Sequence, residues 1–368
     1  QTTDEQQGGD YAKFTVLNGM DYGEWCEPGI TPMQAMMNPR KSVGTAYLAY
    51  SGRLLAEVAE ALGKADDAAN YRGTAANAVK AYRAAFTENG VIKSDRQCEY
   101  VRAIAFALLG EEESKAAAET LNRMVAENDY HLNTGFLSTP FLCDVLAKYG
   151  YADTAYKLLL QPDAPGWLYE VNMGATTIWE RWNSVLPDGT ISGTQMNSLN
   201  HYSYGAVLEW VYRHAAGIDV TEQNPGGRKM KIYPKINAEL GYVDASYDSA
   251  CGTYQSSWKI LDGNKIQLRF FVPFGCEAEI SLPYAPDSVY EEKENPLFAN
   301  VKDGVCLVEA GNYEVTYEAV VPLKKTYSVD STMEEILSNP KTRSFLGSMM
   351  DVDTIPDIVY DMSLRDVA

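Results

Sequence analysis

The stretch NPGGRK, residues 224–229, divides the chain into two halves with different hydrophobic periods. A proline followed by two glycines makes a turn-rich break through which neither helix nor strand runs easily. Before it, apolar residues recur at helical spacing. In VGTAYLAYSGRLLAEVAEALG, residues 43–63, Leu48, Leu55, Val58 and Leu62 fall on one helical face. Gly63 ends that helix, and ADDAANYRGTAANAVKAYRAAF starts the next. Further helices are expected around 100–109, 114–126, 139–149 and 153–159, with Gly110 and Gly150 at turns. The last one, LNHYSYGAVLEWVYRHAAG at 199–217, is apolar on nearly every side and should be deeply packed.

Beyond the break the period becomes two. KIQLRFFVPF alternates at Ile266, Leu268 and Phe270, CEAEISLP at Ala278, Ile280 and Leu282, and GNYEVTYEAV at Tyr313, Val315 and Tyr317. Short alternating runs separated by Gly, Pro and Asp turns predict an antiparallel β-sandwich. A final change comes near residue 323. There Ser331-Thr-Met-Glu334 reads as a capping box that opens a short helix. The expected organisation is mainly α plus β: a helical array over 1–218, a β-sandwich over 219–322 and a helical extension over 323–368.

The whole chain restricts the function. Its 368 residues carry 50 acidic and 31 basic side chains, a net charge of −19. Such a surface repels phosphate backbones and anionic membranes, so no nucleic acid and no membrane partner is expected. No run approaches the roughly 20 apolar residues of a membrane span. Gln1 is not an initiator methionine, and the first residues have no signal-peptide pattern. That leads to the expectation of a mature product or a piece of something longer. The six cysteines are scattered with no Cys-x-x-Cys, which suggests reduced thiols and a cytoplasmic rather than secreted protein. The three histidines have no ligand spacing, so neither metal nor cofactor is expected.

What remains is aromatic rings and carboxylates. Trp167, Trp179, Trp182 and Trp210 cluster within residues 167–210, and Trp25 lies in DYGEWCEPG beside Asp21, Glu24 and Glu27. Rings stack on sugar C–H faces, carboxylates accept from hydroxyls, and two carboxylates can cut a glycosidic bond. Each piece also has a plainer reading. The tryptophans could be core, Glu180–Arg181 a structural ion pair, His201 a hydrogen-bonded core histidine, and DYGEW a tight turn with solvated acids.

The residues GWLYEVNMGATTIWERWNS, MNSLNHYSYGAVLEWVYRHAAGI, TGFLSTPFLCDVL and DYGEWCEPG resemble the core of the bacterial α-L-rhamnosidases, family seventy-eight of the glycoside hydrolases. FFVPFGCEAEISLP and EAGNYEVTYE resemble that family's C-terminal β-domain. The resemblance covers roughly residues 15–320. It implies a six-fold α/α barrel, of which this chain holds a part, and hydrolysis of rhamnose-containing glycosides with inversion. It also implies Glu180 as the general base. His201, 21 positions downstream, would lie in the sugar subsite and Trp25 would line the rhamnose pocket. Glu24, Asp21 and Trp179 would lie nearby as further substrate-binding residues. The family's proton donor is a Glu in an Arg/Asp-Glu-Arg segment followed by Trp, and nothing like it precedes Asp21. About seven or eight helices precede the sandwich where six hairpins need twelve. A C-terminal portion with the base and without the acid is therefore expected, and the missing N-terminal part of the same enzyme would be its partner. Two alternatives stand beside this: a non-catalytic sugar-binding protein, or an enzyme in which Glu24 or Asp21 replaces the donor.

Overall fold

The computed structural model describes residues 2–3, 9–18, 22–37, 41–193, 196–220, 226–323, 327, 329 and 331–367. Asp21, Asn224 and Pro225 lie outside the described residues.

A small hairpin, β1 (Thr2–Thr3) with β2 (Val16–Asn18), precedes the helices. Then come α1 (Pro32–Met37), α2 (Lys41–Ala61) and α3 (Ala65–Phe86). A second short hairpin, β3 (Thr87–Glu88) with β4 (Val91–Ile92), leads to α4 (Gln97–Ala105) and α5 (Glu111–Glu127). These are followed by α6 (Thr139–Lys148), α7 (Ala152–Leu159) and α8 (Trp167–Asn172). The helices pair as hairpins: α2 on α3, α4 on α5, α6 on α7. Helix α4 also touches α2 and α6, so the first members of the hairpins form a continuous row.

Two helical expectations are corrected. Helix α2 exists where expected, but its buried face is Ser42, Val43, Thr45, Ala46, Ala49, Gly52, Ala56 and Ala59. Leu55, Val58 and Leu62 are exposed. Small residues win the interface because they let two backbones approach closely: a Cβ added at Gly52 would sit 3.2 Å from the Ala75 Cβ on α3. Nor is the 199–217 stretch one all-buried helix. It is a 3₁₀ turn (Ser203–Ala206), a single α turn α9 (Val207–Trp210) and a π turn (Val211–Ala215). Tyr204, Val207, Trp210 and Ala215 are buried, whereas Leu208 and Tyr212 face outward.

The sandwich starts at β5 (Ile218–Val220), followed by β6 (Lys229–Ile232), β7 (Tyr242–Ser249), β8 (Gly252–Leu261) and β9 (Lys265–Val272). It continues through β10 (Glu277–Ser281), β11 (Val301–Lys302), β12 (Val305–Val308) and β13 (Gly311–Glu318). One sheet has the order β11-β12-β10-β6-β5 and the other β13-β9-β8-β7. The alternation holds: Ile266, Leu268, Phe270, Ala278, Ile280, Leu282, Val315 and Tyr317 are all buried between the sheets. One pair departs from the antiparallel expectation, since β6 and β10 run parallel. The chain leaves the first sheet after β6, builds β7–β9 in the second, and re-enters beside β6 in the same direction; such a crossover permits parallel pairing.

The two units share packing. Leu240 and Val243 pack against both hydrophobic cores. Trp258 Nε1 donates to the Ala215 carbonyl (2.7 Å) and Ser256 Oγ to the Ala216 carbonyl (2.6 Å). The tail carries α10 (Met333–Ser338), α11 (Pro340–Gly347) and α12 (Leu364–Val367) around Met333, Ile336, Leu337 and Leu346. Its capping box lies one residue later than expected. Thr332 Oγ1 accepts from the Glu335 N–H (3.2 Å) and Glu335 Oε2 from the Thr332 N–H (3.1 Å). Ser331 is buried, with its carbonyl accepting from the Leu364 N–H, which holds it outside the helix.

Candidate active site

The GATTIWERW segment is extended loop, not helix, between α8 and the 3₁₀ turn. Its backbone runs beside 198–201. The Glu180 N–H donates to the Ser198 carbonyl and the His201 N–H to the Ile178 carbonyl, both at 2.8 Å. The Ser198 N–H in turn donates to Glu180 Oε2 at 2.8 Å. The 21-residue step between Glu180 and His201 is therefore a loop that closes on itself, pinned by the Val185–Ile191 bridge and the Ser192 N–H to the Ser184 carbonyl. Glu180 is 7 % exposed.

The flanking tryptophans are core. Trp179 and Trp182 are both 4 % exposed. Trp182 stacks on Tyr204 with centroids 3.9 Å apart and meets Trp167 edge-on at 5.1 Å. Phe136 stacks on the His201 ring at 4.9 Å and meets Tyr204 edge-on at 5.2 Å. His201 is half-buried, and its Nδ1 accepts from the Ser203 N–H (3.3 Å), which leaves the neutral ring's proton on Nε2.

The Trp25 turn reaches the same place from the other end of the sequence. Tyr204 OH donates to the Cys26 carbonyl at 3.0 Å, across 178 positions of sequence. Burial pushes the Cys26 thiol up to about 12, and the Glu180 and Arg181 charges both act on it. Trp25 and Cys26 have φ of 47° and 54°, two consecutive left-handed residues without glycine. Such a pair is costly and needs outside support. The Phe136 N–H donates to the Trp25 carbonyl at 3.0 Å. Gly135 passes so close beneath that any Cβ would collide with the Trp25 and Glu24 carbonyls.

Glu24 supplies the rest of that support. It is 2 % exposed and ion-paired with Arg102, which is itself fully buried. Arg102 Nη2 lies 2.6 Å from Glu99 Oε1, and Arg102 Nη1 donates to Ser138 Oγ at 3.0 Å. Ser42 Oγ donates to Glu99 Oε2 at 2.6 Å. Burial holds the Glu24 carboxyl above its ordinary range despite the pull of Arg102, and its Oε1 is buried without a partner. Glu24 faces Arg102 behind the turn and, with Trp25 (half-buried against Tyr22), Glu27, Ile30 and Arg96, borders a cleft of 280 Å³ whose lining does not include Glu180 or His201. A wider depression of 910 Å³ on the sandwich, lined by Glu291, Glu292 and Glu314, touches none of these residues.

One carboxyl at the site escaped the sequence reading. Glu170 on α8 is 2 % exposed; its Oε2 accepts from the Trp179 N–H (3.2 Å) and its Oε1 has no partner. Burial pushes it up to about 7. A single acid in the apolar run GWLYEVNMG was the available signal. Among the described residues no group of three or more His, Cys, Asp or Glu side chains could hold a metal ion.

Comparison with known proteins follows the same division of the chain. The family model of the bacterial alpha-L-rhamnosidase 6 hairpin glycosidase domain matches residues 2–215, and that of the bacterial alpha-L-rhamnosidase C-terminal domain matches 217–296. An alpha-L-rhamnosidase of Formosa agariphila is 40 % identical over 263 residues, 71 % of this chain and 28 % of that protein. One of Streptomyces avermitilis is 36 % identical over 293 residues, 79 % of this chain and 27 % of that protein. The crystal structure of Streptomyces avermitilis alpha-L-rhamnosidase complexed with L-rhamnose superposes with a TM-score of 0.72 at 34 % identity, covering 83 % of this chain and 29 % of that one. The native enzyme of Aspergillus terreus gives 0.71 at 30 % identity, over 81 % of this chain and 33 % of that one. The chain thus spans between a quarter and a third of the length of these relatives. With both of its folded units matched in order, the chain belongs to the bacterial α-L-rhamnosidase family of glycoside hydrolases.

Proposed function

We propose that this chain is the C-terminal portion of an inverting α-L-rhamnosidase, with Glu180 as the general base that activates water. The observation that carries this is the convergence at Glu180: one carboxylate oxygen is fixed by the Ser198 N–H, with His201 and the Trp25 turn brought alongside through Phe136 and Tyr204. A base needs an oriented carboxylate, and the backbone donor supplies that orientation. His201 Nε2–H and the Trp25 ring are then the groups for sugar hydroxyls and an apolar sugar face. Trp179, Trp182 and Glu24 act behind them as support.

The acid partner comes from outside this chain. Inversion needs two carboxyls about 6.5–9.5 Å apart with water between them. Glu24, buried against Arg102, is poorly placed to deliver a proton. The exposed row Leu55, Val58 and Leu62 on α2 is the kind of face another ring helix covers, which supports docking of a preceding part of the same enzyme. The test is hydrolysis of an aryl α-L-rhamnoside. This chain alone should be nearly inactive, because loss of general-acid help costs roughly 10²–10⁴-fold. Joined to the preceding part it should release rhamnose, and Glu180→Gln in that joined enzyme should abolish release while rhamnose binding survives. Hydrolysis by the Glu180→Gln enzyme at the parent rate would refute the assignment.

A further inference from the structure

The peptide group between Ile178 and Trp179 is clamped from both sides. Its carbonyl accepts from the His201 N–H at 2.8 Å, and its N–H donates to Glu170 Oε2 at 3.2 Å. Of the two clamps, only the second is a side chain. The next residue is Glu180. We propose that Glu170 is a positioning residue: its carboxyl, sealed behind the IWERW segment, fixes the Trp179 peptide and through it the direction in which Glu180 points. This rests on the reading of Glu180 as the base.

Three observations support it. Glu170 is 2 % exposed, so it cannot itself touch a sugar. Its Oε1 has no partner, so an ionised Glu170 would hold a full charge on one hydrogen bond in a closed site. The titratable group that feels its charge is the Tyr204 phenol, itself kept neutral by burial, and the same phenol also feels Glu180, Glu24 and Cys26. An ionised Glu170 would draw in water, and the clamp on the peptide would shift. Burial holding Glu170 up to about 7 keeps its charge out of the site below that pH.

The test uses the whole chain with carbon-13 at the glutamate carboxyl carbons, followed by NMR between pH 4 and 9. Glu170 should titrate near 7, and the Glu180 signal should show an inflection at that pH as the peptide clamp shifts. In Glu170→Gln, an isosteric neutral replacement, that inflection should vanish. A role confined to packing would leave the Glu180 signal without it. The inference is overturned if Glu170 is already ionised at pH 5, if the Glu180 signal lacks the inflection, or if the inflection persists in Glu170→Gln. Should the variant fail to fold, the unmodified chain's titration still decides. No sugar is involved, so failure of rhamnose hydrolysis in the joined enzyme would remove the base assignment and leave this coupling intact.

Discussion

Replacing Arg102 with methionine should destabilise the helical unit more than any other single side-chain change at the site. In the native structure one fully buried guanidinium faces two buried carboxylates, Glu24 and Glu99, and also donates to Ser138. Methionine matches much of the volume and removes the charge, so two carboxylates then face each other with no cation. Removing one partner of a buried pair costs about 3–5 kcal/mol, most of it the penalty on the charge left behind. The assay is urea denaturation followed by tryptophan fluorescence; Trp25, Trp167, Trp179, Trp182 and Trp210 report on the helical unit and Trp258 on the sandwich. Two controls separate charge from packing. Adding Glu24→Gln to Arg102→Met should recover part of the loss, because it removes one uncompensated charge. Lowering the pH should do the same in the single variant. Without Arg102 the folded-state Glu24 carboxyl is raised further, so the folded chain binds more protons than the unfolded one and stability falls as pH rises. A loss below about 1 kcal/mol in Arg102→Met, or no recovery with Glu24→Gln, would refute the claim that this cluster holds the Trp25 turn.

Three further outcomes follow from the same geometry. Glu170 is raised from 4.5 to about 7 by burial, so its contribution to stability is full below pH 4.5 and lost as pH climbs to about 7; that loss is about 3 kcal/mol, and calorimetric melting of Glu170→Gln should show a flatter pH profile by that amount. Gly135→Ala must push the Glu24 and Trp25 carbonyls apart, at a cost of roughly 1–3 kcal/mol in urea denaturation. Leu55→Glu and Val58→Glu, on the exposed face of α2, should change the stability of this chain by no more than about 0.5 kcal/mol; in a pull-down with the preceding part of the enzyme they should weaken association.

Much of the architecture was legible in the residues themselves. Helical and strand periods are local properties, so the helical array, the break near NPGGRK and the alternating strands at 266–270, 278–282 and 313–317 could be read directly. Glu180, His201 and Trp25 were singled out only by resemblance, because long matching words survive where contacts are invisible. The structure pairs the backbone of 178–180 with 198–201, beside Glu180 and His201, and ties Tyr204 to the Cys26 carbonyl next to Trp25.

Sequence alone thus determined the main helical and strand segments, because spacing along the chain settles those, though not the broken 203–215 stretch. It could not settle which face of α2 is buried: Leu55, Val58 and Leu62 looked like the core side, and Gly52 against Ala75 decided otherwise. Nor could it distinguish the roles of three similar glutamates. Glu24 meets its arginine 78 positions away, Glu180 meets a backbone N–H 18 positions away, and Glu170 meets the Trp179 peptide with one oxygen left alone. A carboxyl's charge and work follow from its desolvation and its nearest donors. Here those are set by parts of the chain that only folding brings together.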